Sequence, residues 1–214
     1  WQILKGKDLL KDQSYFLCLL NQEQISKTLF PLGDKTKEEI KQIALDNGLG
    51  FLKEREESQD FIDSSVYPYI FPAEAFTSGE IVDINGKVLG YHRGLVNYTI
   101  GQRKHLGISG MDEPYYVVGI DVEHNRLIVG PLMGLYKDNL QARDINWVSI
   151  PGLKETIKAE TKIRLAHNAA PGKVIPLSEN RVEVRFDEPQ LSITPGQFAV
   201  FYQGDLLLGG GVIE

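Results

Sequence analysis

Nucleophilic or metal chemistry in this chain would have to be built from one cysteine and four histidines. Cys18 stands inside the apolar run Tyr15, Phe16, Leu17, Leu19, Leu20. Burial there disfavours the thiolate and raises the thiol's pKa, so a small core residue is the plainer reading than a nucleophile. His92, His105, His124 and His167 are scattered, and no two share a spacing such as H-x-x-x-H. With a single cysteine they leave no zinc constellation, and no metal site is expected. The nucleophile elbow G-x-S-x-G, the phosphate loop G-x-x-x-x-G-K-S/T and the dinucleotide fingerprint G-x-G-x-x-G are all missing.

Polar donors cluster in three places. In Y-T-I-G-Q-R-K-H-L-G-I-S-G (98–110), Gln102, Arg103, Lys104 and His105 lie between Gly101 and Gly107. Such a loop can offer guanidinium and ammonium groups to phosphates while its glycines allow close backbone approach; the alternative is an ordinary charged loop. In T-K-I-R-L-A-H-N (161–168), Lys162, Arg164 and His167 are interleaved with apolar residues, which predicts a strand with one basic face, for binding or for solvent. Lys11, Asp12 and Gln13 stand immediately before a helix, where Asp12 reads as its N-cap and Gln13 as a free side chain.

These residues need elements to hold them. Residues 1–60 read as helical: Thr36 and Glu39 have the spacing of a capping box, Ile40, Ile43 and Ala44 share a face, and Gly48 suits a helix C-terminus. Segments 14–20 and 21–29 predict two shorter helices, the second capped by Asn21, with Pro31 ending the run. The charged stretch 53–60 predicts a solvated linker or loop. From Gly79 the period changes to two. Asn85-Gly86 predicts the turn of one hairpin, and residues 123–125 that of a second between 115–122 and 125–130. Runs at 161–165, 181–186, 197–202 and 206–213 suggest a small closed barrel. The expected divisions are 1–60, 61–145 and 146–214.

Composition sets outer bounds. With 214 residues, 42% of them hydrophobic, the chain can bury a core, and a mainly disordered protein is excluded. No run approaches the roughly 18 consecutive apolar residues of a membrane helix. One cysteine rules out an internal disulfide framework, and no leader is visible, so a cytoplasmic protein without membrane contact is expected. A net charge of −6 argues against coating nucleic acid by bulk electrostatics, though not against a local basic site. The opening Trp1 suggests a piece of a longer polypeptide.

Read in order, K-D-Q-S-Y-F-L (11–17), L-F-P-L-G (29–33), Y-T-I-G-Q-R-K-H-L-G-I (98–108), Y-Y-V-V-G-I-D (115–121), K-I-R (162–164) and the ending from T-P-G-Q-F-A-V-F-Y (194–202) to G-G-G-V-I resemble the bacterial tRNA-specific 2-thiouridylases. The resemblance implies an α+β chain, mostly β: a helical remnant of a PP-loop ATPase domain, a small central β-rich domain and a C-terminal β-barrel. It implies an enzyme that adenylates the wobble uridine of certain tRNAs at C2 and replaces that oxygen with sulfur from a cysteine persulfide. ATP would bind through an S-G-G-x-D-S loop ahead of Trp1, where the first catalytic cysteine also belongs, so these residues alone should be inactive. The partners implied are tRNA and a sulfur donor, protein or sulfide.

In the family's D-S-x-G-I-C-F stretch the cysteine carries the persulfide. Here E-S-Q-D-F-I-D (57–63) puts Ile62 at that position. Sulfur must then pass through another cysteine, with an iron–sulfur cluster as one route, or the protein is a non-catalytic paralogue or a barrel interaction module. The family's tRNA contacts carry over to Lys11, Asp12, Gln13, Arg164, Leu165 and Gln197. Leu165 departs from the usual aromatic. Arg103 and Lys104 are added on the physical argument alone.

Overall fold

A computed structural model describes residues 1–50, 66–110 and 112–214, so the 53–60 stretch and Ile62 lie outside the described residues. The chain divides into two compact units. One contains Trp1–Glu57, Asp138–Pro189 and Thr194–Glu214, the other Ser58–Lys137 and Gln190–Ile193.

In the first unit, α1 (Gln22–Ser26) and α2 (Lys37–Asp46) both start with a capping box. At α2 the Glu39 N–H donates to Thr36 Oγ1 at 3.2 Å and the Thr36 N–H to Glu39 Oε2 at 2.6 Å. At α1, Asn21 and Gln24 exchange the equivalent pair, each at 2.9 Å. Gly48 follows α2 with φ +76°, as the αL exit requires. The other expected helix shrinks to a single 3₁₀ turn, Ser14–Leu17, and the one expected over 21–29 stops at Ser26. Both are too short to stand without packing, and the first is held instead by Asp12 and by burial of Tyr15 and Cys18.

Apart from Tyr136, Lys137, Gln190 and Leu191 at strand ends, the same unit contains a closed barrel of β5 (Tyr136–Trp147), β6 (Ile157–Lys162), β7 (Ala170–Ser178), β8 (Arg181–Leu191), β9 (Phe198–Gln203) and β10 (Leu206–Ile213), in the order β10-β5-β8-β7-β6-β9. The strand expected over 161–165 is displaced: β6 ends at Lys162, and Arg164 and Leu165 lie in the turn that follows, closed by the His167 N–H to the Arg164 carbonyl at 3.1 Å. The helical segment packs on the outside of this barrel. Ile3, Tyr15, Cys18, Ile25, Val148, Val200, Tyr202 and Leu207 form one buried cluster. Side-chain amides clamp it: Asn146 Nδ2 donates to the carbonyls of Cys18 (2.8 Å) and Leu20 (3.0 Å), and Gln22 Nε2 to that of Val148 (2.7 Å). A Cβ on Gly210 would stand 2.9 Å from Cys18 Cβ, so the glycine run of β10 is what admits this segment so closely.

The second unit is built on β1 (Gly79–Asp83), β2 (Val88–His92), β3 (Tyr116–Asp121) and β4 (Arg126–Gly130), ordered β2-β1-β4-β3 with β1 and β4 parallel. Both expected hairpins form. Gly86 (φ +84°) supplies the positive φ of the first turn, with Asp83 Oδ1 accepting the Asn85 and Lys87 N–H groups; Asn125 (φ +50°) supplies it in the second. Ile81, Leu106, Val117, Leu127 and Val129 are the core. His92 is fully buried and belongs to this scaffold: Nδ1 accepts the Gly94 N–H at 3.0 Å, which leaves Nε2 to donate to the Asn125 carbonyl at 3.1 Å.

Candidate nucleic-acid interface

Asp12 shapes the first group of expected contacts. Its carboxylate is nearly buried and accepts the Gly6 N–H (2.9 Å) and Ser14 N–H (3.2 Å) on Oδ1 and the Ser14 hydroxyl (2.7 Å) on Oδ2. Ser14 Oγ in turn lies 3.0 Å from Tyr202 OH on β9. The N-cap position of the turn falls to Gln13, which makes no side-chain cap bond, so Asp12 is not the N-cap expected from K-D-Q; its carboxylate instead ties the turn to the Gly6 main chain and, through Ser14, to the barrel, while Lys11 and Gln13 on either side remain exposed. They stand on the rim of a groove of about 590 Å³ with Leu17, Leu29, Phe30 and Leu32 among its walls. Burial raises the Tyr202 phenol and, opposed by the Phe198 carbonyl, pushes the Tyr15 phenol up to about 12, so both hydroxyls are neutral donors.

Tyr15 joins this turn to the other expected contacts. Its hydroxyl donates to the Phe198 carbonyl at 3.0 Å, and the two rings meet edge to face at 6.4 Å. Phe198 follows Gln197, whose carbonyl accepts the Ile213 N–H at 2.8 Å, fixing the T-P-G-Q turn to β10. Leu165 packs on the same cluster, so this side chain is used in the core. Arg164 beside it is half-buried. His167 completes the turn: burial first, with a weaker push from Arg164 and Lys162, holds its imidazole below the usual histidine value, and its Nδ1 is buried without a hydrogen-bond partner among the described residues. Lys11–Gln13, Arg164–Leu165 and Gln197 therefore come from three distant stretches into one unit, fastened by Tyr15, Leu165 and Phe198.

Arg103 and Lys104 belong to the other unit. Their loop is pinned by Gln102, whose Nε2 donates to the Lys104 carbonyl at 2.9 Å, and by buried Leu106. Arg103, Lys104 and His105 project to solvent, and His105 takes φ +61°, an unusual conformation for a residue with a side chain.

Several basic residues were not singled out as contacts by the sequence. Lys5 Nζ lies over the Tyr202 ring at 4.7 Å and 3.6 Å from Glu160, and Lys158 and Lys173 stand on the outside of β6 and β7. The signal available was the alternation I-K-A-E-T-K (157–162), which places every second, charged residue outward.

Among the described residues no group of three or more His, Cys, Asp or Glu could hold a metal ion. Cys18 is fully buried and desolvation pushes its thiol up to about 11, so it does not suit a cluster ligand or a persulfide carrier. No helix among the described residues is long and apolar enough to cross a membrane.

Three family models match consecutive stretches: a tRNA methyl transferase HUP domain over 1–63, a tRNA methyl transferase PRC-barrel domain over 70–131 and an aminomethyltransferase beta-barrel domain over 137–213. Among curated proteins, the tRNA-specific 2-thiouridylase MnmA of Geotalea uraniireducens is 48% identical over 219 residues, taking in 100% of this chain and 58% of the relative. The proteins of the same name from Gloeothece citriformis and Rippkaea orientalis are 46% and 45% identical, each across 100% of this chain and 62% of the relative. The chain thus spans 58–62% of the length of these relatives. Similarity sustained through helical segment, central sheet and barrel in one order makes this chain a member of the tRNA-specific 2-thiouridylase family.

Proposed function

We propose that these residues form the tRNA-gripping part of a cytoplasmic 2-thiouridylase. The observation that supports this reading is that Tyr15, Leu165 and Phe198, close neighbours in the chain of Gln13, Arg164 and Gln197, share one cluster, with the Tyr15 hydroxyl bonded to the Phe198 carbonyl. Arg164 and Lys11 supply charge for phosphates, Gln13 and Gln197 supply donors and acceptors for sugar and base edges, and Asp12 orients its neighbours. Arg103 and Lys104 add a further phosphate contact. Adenylation of the uridine C2 oxygen, with ATP held by a PP-loop domain, and its displacement by sulfur from a donor are steps for groups other than those described here. The task of these residues is to hold the anticodon stem-loop so that the uridine reaches them.

Replacing Arg164 and Gln197 by Ala should weaken binding of an unmodified tRNA transcript by roughly 10- to 100-fold, the worth of one or two charge-assisted hydrogen bonds. Unchanged affinity refutes the role.

Ile62 favours a second reading, a paralogue that binds tRNA without thiolating it, because isoleucine cannot carry sulfur. Mass spectrometry of tRNA from a strain lacking the protein separates the two. Lost 2-thiouridine supports the enzyme, and unaltered content in a strain with no second thiolase supports the paralogue.

A further inference from the structure

In a chain of net charge −6, residues 157–174 carry Lys158, Lys162, Arg164 and Lys173 against Glu160 alone. Glu160 is engaged by Lys5 at 3.6 Å. The hairpin's three lysines, Lys158, Lys162 and Lys173, thus face one acid that is already shared with Lys5.

The strand register concentrates it. Lys158 lies opposite Lys173, and Lys173 opposite Arg185 on β8, so three cations stand in one row across three neighbouring strands. Directly opposed like charges on one sheet face are destabilising, and strands are only about 5 Å apart. Arg185 is compensated by Glu183, with its Nε 2.8 Å and Nη2 3.2 Å from the carboxylate oxygens. Lys158 and Lys173 have no ion pair or hydrogen bond among the described residues, and both are exposed. They flank a shallow trough of about 380 Å³ along β6, whose other wall is the β9–β10 turn with Gln203 and Gly204 and whose margin includes Asp187. Along β6 the charge continues through Lys162, about 13 Å from Lys158 at four residues' rise, to the turn bearing Arg164.

We infer that the outer face of the β6–β7 hairpin is a phosphate-backbone track, with Lys158 and Lys173 as contacts that extend the grip at Arg164 along the barrel. This rests on the tRNA-binding reading above. A nucleic-acid strand suits the surface because the cations form a line continuous with Arg164, whereas a compact anion would be served by one convergent pocket.

The test is the salt dependence of binding of an unmodified tRNA transcript to the protein and to its K158A/K173A variant. The slope of log affinity against log salt should become shallower by about 2, with affinity lower on the order of tenfold or more at physiological salt. The variant's melting temperature should be no lower than the parent's, since it removes two unpaired, mutually repelling side chains. If the slope is unchanged while tRNA still binds, the track is refuted and the grip at Arg164 and Gln197 stands. If the parent protein does not bind tRNA, both readings fall. If poly-glutamate binding is lost in the variant while the tRNA slope is unchanged, the face takes an acidic protein and the inference is overturned.

Discussion

Replacing Asp12 by Ala should unfold the protein far more readily while removing no direct contact to RNA. Its carboxylate accepts three hydrogen bonds, from the Gly6 and Ser14 N–H groups and the Ser14 hydroxyl, and it is nearly buried. Alanine leaves two main-chain donors without a partner, each costing about 1–3 kcal/mol, and the Ser14 hydroxyl falls back on Tyr202. The expected loss is about 3–5 kcal/mol, a large share of the roughly 5–15 kcal/mol that stabilises a typical domain. Asn in its place keeps one carbonyl oxygen for the Gly6 and Ser14 N–H groups. Ser14 can then turn its proton to Tyr202 and accept from the new amide, so D12N should cost only about 1 kcal/mol. Urea titration followed by tryptophan fluorescence should show the midpoint falling strongly for D12A and slightly for D12N, with an unchanged slope. Folded D12N should bind tRNA within about twofold of the parent if Asp12 acts by positioning Lys11 and Gln13. A midpoint for D12A equal to the parent's would refute the reasoning about burial. Affinity of D12N reduced as far as that of a Lys11 variant would show that the carboxylate itself meets the RNA.

Two further outcomes follow from packing and protonation. Cys18 has its thiol pushed from an ordinary 9.0 up to about 11 by burial, so the fold favours the protonated form. Its stabilisation is complete below pH 9 and is lost as pH rises through about 11, a change worth roughly 2–3 kcal/mol. C18A should flatten the fall in melting temperature over that window, and a slope equal to the parent's would contradict it. Gly172 on β7 has no room for a methyl group: a Cβ would stand 2.4 Å from the Arg185 carbonyl oxygen. G172A should therefore cost about 3 kcal/mol or more by forcing β7 and β8 apart, whereas G204A, with open space around a φ of +58°, should cost only about 1–2 kcal/mol of backbone strain; equal melting temperatures would refute the distinction.

Local chemistry was legible in the amino-acid sequence where a few neighbours decide the outcome. Thr36 with Glu39, Gly48, and the Asn85-Gly86 turn each act within a handful of residues and appear as expected. So does the depth of Cys18, which the surrounding apolar run announces. What escaped depends on distant partners. β7 contains Pro171 and Pro176, which bring no N–H to the ladder and so argue against a strand paired on both sides; the irregular register beside Pro176 is where the barrel absorbs one of them. β5 is largely exposed and charged along its first half, so period-two alternation is faint there. The seat of Asp12 could not be read from K-D-Q, because its anchor runs through Ser14 to a tyrosine 188 residues further on. The inward use of Leu165 likewise depends on distant partners, since it packs against a cluster whose members run from Ile3 to Leu207.

The meeting of residues 3–5 with 205–207 has a kinetic consequence. The Leu207 N–H donates to the Ile3 carbonyl at 3.0 Å and the Lys5 N–H to that of Asp205 at 2.9 Å. A ribosome therefore delivers the leucine-rich opening segment long before the β9–β10 hairpin on which it rests. Until that hairpin emerges, Ile3, Tyr15 and Ile25 have no barrel wall to lie against, and contacts of such long range are slow to close. The docking of this segment should therefore be among the last events of folding.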